Sequence, residues 1–249
     1  MYFWKCWRCS RARFFYCLIV VILLFGTFTV GTVKVSEVDA MRQNPALAVL
    51  RNPSTAAASL FESWGSIFVI IWGFVLGGAS LGEEFKDRTA DFLLARPRRR
   101  RYWVWAGWSI GLAEMVATVL LMGAVTFASL VFLRGNLPTW RPLAMLLPLA
   151  LNGILVYGLT YLMSVVVRGS QLAISYSIGI LALDMLIPAA LGHYHLNVNF
   201  LYCGINLGKV FVWATKMSGT FPFAALFAWT AVALAFPLAA QLLLERAEV

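Results

Sequence analysis

Six stretches of this chain are long and apolar enough to cross a bilayer, and no soluble fold can bury that much oil. A helix needs about 20 apolar residues to span hydrocarbon. The runs lie at 14–33, 64–81, 104–133, 143–167, 172–191 and 221–244. Hydrophobic residues make up 61% of the 249 and charged residues only 12%, too few polar groups to coat a soluble globule of this size. The runs are apolar on every side and lack a two-residue alternation. Helices rather than barrel strands are therefore expected, giving an all-α membrane protein in one transmembrane domain over 1–249.

The basic residues set an orientation. With the N-terminus in the cytoplasm, 13 Lys and Arg fall in inner segments and 7 in outer ones. Excess positive charge marks the cytoplasmic side, so both termini are expected inside. The net charge of +9 resides mostly beside span ends, where anionic headgroups attract it. Membrane lipids, not nucleic acid, are the expected partners of those cations. The N-terminal "MYFWKCWRCSRARFFY" mixes aromatics and cations like an interfacial helix. Its basic flank and the "VDA" ending at Ala40 resemble a secretory signal, but the apolar run exceeds an ordinary signal core and a retained anchor is expected.

Residues 34–63 are expected to form a long outer loop punctuated by "RNPS", 134–142 a short outer turn, and "RGSQ" at 168–171 a tight inner turn. The segment 192–220 is too polar to span and too apolar for a free loop, which suggests a re-entrant or interfacial piece on the outer side. Gly73 and Gly77 have GxxxG spacing in the second span, and Gly107 and Gly111 repeat it in the third. Such pairs allow close approach of two helices. Pro148, Pro188 and Pro237 are expected to kink their spans.

Cys6 and Cys9 form a lone CxxC without further metal ligands nearby, and the four cysteines supply no disulfide framework. No metal site is expected. "CGINLGKV" at 203–210 lacks both the first glycine and the terminal Ser/Thr of a phosphate loop. ATP hydrolysis by this chain alone is not expected.

The charged segment from Glu83 to Arg101 holds the clearest motif. Glu84 to Ala95 patterns as a short amphipathic helix with Phe85, Thr89, Phe92 and Leu93 on one side. Glu84 and Arg88 make a favourable i, i+4 pair, and Pro97 ends the helix. Second span, glutamate, short helix, leucines, proline, basic residues and third span follow in the order of the ABC-2 type permease family, whose pattern runs E-x-x-x-G-T-x-x-x-L-L-x-x-P-x-S-R. The chain resembles that family at Glu84, Thr89, Leu93, Leu94, Pro97 and Arg100, and departs from it at Arg88 and Arg99.

The resemblance implies that Glu84–Ala95 is a coupling helix seated in a cleft of a separate ATPase subunit, with Glu84, Phe85, Arg88, Thr89, Phe92, Leu93, Leu94, Pro97 and Arg100 at the contact. It implies two permease copies, or one with a related permease, joined to two ABC ATPase subunits. ATP and Mg would be bound by those partners and no cofactor by this chain. The setting would be a bacterial or archaeal cytoplasmic membrane. The substrate is not legible.

Two other readings have sequence support. Glu83, Glu84 and Arg88 match the EExxxR of CAAX-type intramembrane proteases, and His195 and Asn199 give an HxxxN. These elements fall on opposite membrane faces, separated by about 30 Å of hydrocarbon, too far for shared catalysis. A structural or anchoring role without transport is the other alternative. Within the spans, Glu114, Asn152 and Asp184 are candidates for a translocation path or gate, because polar groups there usually face a protein or aqueous interior. Hydrogen-bonded packing between helices is the competing role for each.

Overall fold

The structure is a computed structural model and describes residues 2–37, 52–81, 100–134, 140–191, 221 and 223–246. Every element among them is helical. In chain order they are α1 (Tyr2–Glu37), α2 (Pro53–Leu60), a π-helical turn (Phe61–Gly65), α3 (Ser66–Ala79), α4 (Arg100–Arg134), α5 (Arg141–Ala144), α6 (Leu146–Val167), α7 (Ser170–Leu191) and α8 (Phe223–Arg246). Among the described residues, five helical segments are long and apolar enough to cross a membrane: Ser10–Lys34, Pro53–Ala79, Arg101–Leu133, Arg141–Val167 and Leu226–Arg246. The fifth expected span, 172–191, is helical as α7 but is not one of these five.

Helix boundaries follow local chemistry. The second span starts about eleven residues before its expected position at 64, which corrects the reading of 34–63 as loop throughout. Asn52 caps the helix there: its Oδ1 accepts a hydrogen bond from the Ser54 N–H at 2.9 Å, and Pro53 sits in the first turn, where a missing N–H costs nothing. The "RNPS" punctuation is thus a helix start. The π turn joins α2 to α3 without a break. A widened turn disturbs the backbone ladder, and the Ser66 hydroxyl donates to the carbonyls of Glu62 (2.6 Å) and Ser63 (2.8 Å).

The fourth span is interrupted at Met145, between α5 and α6. Pro148 explains the break, since it has no N–H for the Ala144 carbonyl and its ring crowds that oxygen. The expected kink therefore lies one turn ahead of the proline. Pro237 is inside α8, within its continuous helix. The tight turn after α6 is shorter than expected. Arg168 ends α6 in the left-handed conformation (φ 54°, ψ 36°) and α7 starts at Ser170.

α6 is the centre of the bundle. It packs on α3, α8, α7 and α4, while α1 packs chiefly on α4. The glycine pair of the second span makes the closest contact. A Cβ at Gly73 would stand 2.9 Å from the Gly153 carbonyl oxygen, and one at Gly77 would stand 2.6 Å from Thr160 Cβ and 2.8 Å from the Tyr157 carbonyl oxygen. Helix α3 thus lies directly on the backbone of α6, as the GxxxG spacing predicts.

The second pair works differently. Gly107 and Gly111, four apart on α4, receive the rings of Tyr161 and Tyr157, four apart on antiparallel α6. Both tyrosines are fully buried. The outer faces of α1, α3, α7 and α8 remain apolar and exposed, through residues such as Ile19, Ile71, Leu183 and Leu238. Lipid is the solvent such faces require.

Candidate functional site

Contacts along the bundle fix which chain segments share an end. The Tyr161 hydroxyl donates to the Val104 carbonyl at 2.8 Å, and Trp105 Nε1 donates to Gln241 Oε1 at 3.0 Å. Gly78 lies against Ile174 and the Ser170 carbonyl. The end of α3, the start of α4, the α6–α7 turn and the end of α8 therefore lie together. The start of α1 joins them, because α1 runs parallel to α4: Ser10 and Arg13 meet Glu114, and the thiol of Cys17 lies 3.9 Å from the Thr118 hydroxyl. Leu81 and Arg100 thus bring the two flanks of the charged segment to the end shared by the first and last helices. The residues expected to form the coupling contact, Glu84, Phe85, Arg88, Thr89, Phe92, Leu93, Leu94 and Pro97, lie outside the described residues. Of Arg100 only the helical backbone is described. Segment 192–220, with His195 and Asn199, also lies outside them.

The three intramembrane candidates occupy one layer on three helices. Glu114 is on α4, next to Met115, which packs on Gly153 of α6 beside Asn152. Asp184 of α7 is ten residues beyond Ile174, roughly 15 Å along the helix from the Gly78 contact. It therefore reaches the height of Val69, which also packs on Gly153.

Their surroundings differ. Glu114 is 2% exposed and faces α1, where Ser10, whose hydroxyl donates to the Trp7 carbonyl at 3.2 Å, and the Arg13 guanidinium lie close enough to act on its carboxylate electrostatically. Among the described residues its Oε1 has no hydrogen-bond partner, nor has Oδ1 of half-buried Asn152. Asp184 is half-buried.

Sequence inspection overlooked the group that joins α4 to α6. Trp108 stacks on Tyr157 (centroids 4.7 Å apart, planes 22° apart) and meets Tyr161 edge-on at 5.6 Å. The Tyr157 hydroxyl lies 3.3 Å from the carbonyls of Gly107 and Trp108. Phe236 of α8 and Trp108 both close on Gly158, which has no side chain to keep them away. The equal four-residue spacing of the two tyrosines and the two glycines is the signal that could have revealed this contact. Among the described residues no group of His, Cys, Asp and Glu is placed to hold a metal ion.

These helices, contacts and lipid-facing surfaces define a multi-pass helical membrane protein. No family model matches the chain, and comparisons with curated proteins and with solved structures give no match either.

Proposed function

We propose that this chain is the permease subunit of an ATP-binding cassette transporter, driven by ATPase subunits that are separate chains. The observation that carries the reading is the charged segment 83–101. Its Glu84, Thr89, Leu93, Leu94, Pro97 and Arg100 keep the order and spacing of the ABC-2 coupling element, in the link between α3 and α4. Six spans belong to this reading, with α7 as the fifth, both termini in the cytoplasm and the coupling helix at 84–95. So does assembly of two copies, or of one with a related permease, in a bacterial or archaeal cytoplasmic membrane.

The mechanism is mechanical. Closure of two ATPase subunits on ATP would displace the coupling helix. The start of α4, held to α6 by the Trp108–Tyr157–Tyr161 group, would pass that motion into the bundle and switch access between its two sides. Glu114, Asn152 and Asp184 share the layer through which a substrate would pass between helices.

Two substitutions test the contact. Phe92→Ala removes the aromatic anchor of the apolar stripe, and loss of a buried interface anchor costs about 2 kcal/mol or more. ATPase association should weaken by roughly tenfold or more, with the bundle still folded. Glu83→Gln, which would abolish a glutamate-dependent protease, should change much less. Unchanged ATPase co-purification in Phe92→Ala, together with total loss of activity in Glu83→Gln, would refute the coupling assignment.

A further inference from the structure

Helix α1 is out of step with the rest of the bundle. Its ties to α4 pair Ser10 and Arg13 with Glu114 and Cys17 with Thr118. Arg8 and Arg11 of α1 therefore stand level with about positions 109–112 of α4, roughly 12–16 Å from Arg101 at 1.5 Å per residue. On the opposite flank, the Trp105–Gln241 bond fixes the height of α8. Leu234 and Leu238, exposed and apolar, lie near the height of the two arginines, and exposed Leu242 lies closer still to the charged end. The α8 surface is built for hydrocarbon at a height where α1 carries cations.

Arg8 and Arg11 are both exposed, and neither makes a hydrogen bond or ion pair among the described residues. Arg13, by contrast, is turned toward α4 and Glu114. Arg8 and Arg11 begin a single stripe along α1 that continues through Phe15, Ile19 and Ile22, all exposed, at three- and four-residue spacing. Two guanidinium groups followed by about two turns of apolar surface match an amphiphile with an anionic head and an acyl chain. Guanidinium forks suit phosphate oxygens, and a cation at this height is costly without an anionic partner.

We infer that Arg8 and Arg11 form a binding site for the phosphate of an anionic phospholipid, drawn below the level of the surrounding headgroups, with its chain along Phe15, Ile19 and Ile22. The site requires only that the helices span a membrane; it does not depend on the permease reading.

The test uses the full chain in nanodiscs of mixed phosphatidylglycerol and phosphatidylcholine, followed by controlled delipidation and native mass spectrometry of the retained lipid. No ATPase or transport is involved. The wild-type chain should retain phosphatidylglycerol preferentially. Arg8→Gln and Arg11→Gln should each reduce that preference about fivefold, and together about 25-fold. Arg246→Gln, an exposed cation at the bundle end, should change it less than twofold, and excess inorganic phosphate should leave the lipid bound. Absence of a preference in wild type, an equal loss in Arg246→Gln, or displacement by inorganic phosphate as complete as by phosphatidylglycerol would each overturn the assignment.

Discussion

Alanine at Gly77 should destabilise the bundle far more than alanine at Gly31, although both are single methyl additions to helical glycines. At Gly77 the new carbon would stand 2.6 Å from Thr160 Cβ, 2.8 Å from the Tyr157 carbonyl oxygen and 3.0 Å from the Tyr161 amide nitrogen. Carbon atoms pack best at about 3.5–4.0 Å, so α3 and α6 must separate by about 1 Å. Two of the three obstructing atoms are backbone and cannot rotate away. Separation also loosens Gly73 from the Gly153 carbonyl and Val69 from Gly153. Overpacking of this kind costs about 1–3 kcal/mol. At Gly31 no side chain or other helix among the described residues comes within 4 Å of the added carbon, and replacing glycine in a helix should gain about 0.5–1 kcal/mol. Reversible unfolding of the purified chain in mixed micelles, followed by tryptophan fluorescence, measures both. A neutral Gly77→Ala, or a Gly31→Ala as destabilising as it, would refute the close approach of α3 and α6.

Tyr161→Phe removes the donor to the Val104 carbonyl and should cost about 0.6 kcal/mol, up to about 1.7, in the same unfolding assay. Arg168→Gly should stabilise by about 1 kcal/mol, because a non-glycine residue in the left-handed region carries about that penalty. Glu114→Ala removes the buried carboxylate that faces Ser10 and Arg13 of α1 and should loosen the packing of α1 on α4. In a chain with Cys6, Cys9 and Cys203 replaced by serine, Cys17 should then react with a membrane-permeant maleimide at least about tenfold faster. Glu114→Gln separates its two candidate roles: lost transport with normal assembly marks a path residue, and lost assembly with normal specific activity marks a packing residue.

The helical class and the approximate positions of five of the spans were legible because runs of apolar residues leave a chain few alternatives to spanning. The Gly73–Gly77 contact was legible for a related reason, since close helix packing needs small residues at a four-residue spacing. Helix α2 was not, because Asn-Pro-Ser serves equally as turn and as cap, and only burial of Ala56, Ala57 and Ala58 against the bundle decides for the cap. Glu114 was recognised as an unusual residue for a span, but its facing partners depend on the offset between α1 and α4. That offset is a tertiary quantity that local pattern does not encode. The Tyr157 and Tyr161 contact was hidden for the same reason: the tyrosines read as ordinary apolar positions until an antiparallel helix supplies the matching glycines.

The coupling segment admits the most direct test of the proposed function. A photo-activated cross-linking amino acid placed at Phe92 of the full-length chain, irradiated in native membranes and followed by identification of the adduct, reads what that surface touches. The permease account predicts a single protein adduct whose sequence carries a GxxxxGK[ST] phosphate loop, lost when an excess of the wild-type chain competes for the ATPase. Adducts with lipid alone, or with proteins lacking a phosphate loop, would contradict it.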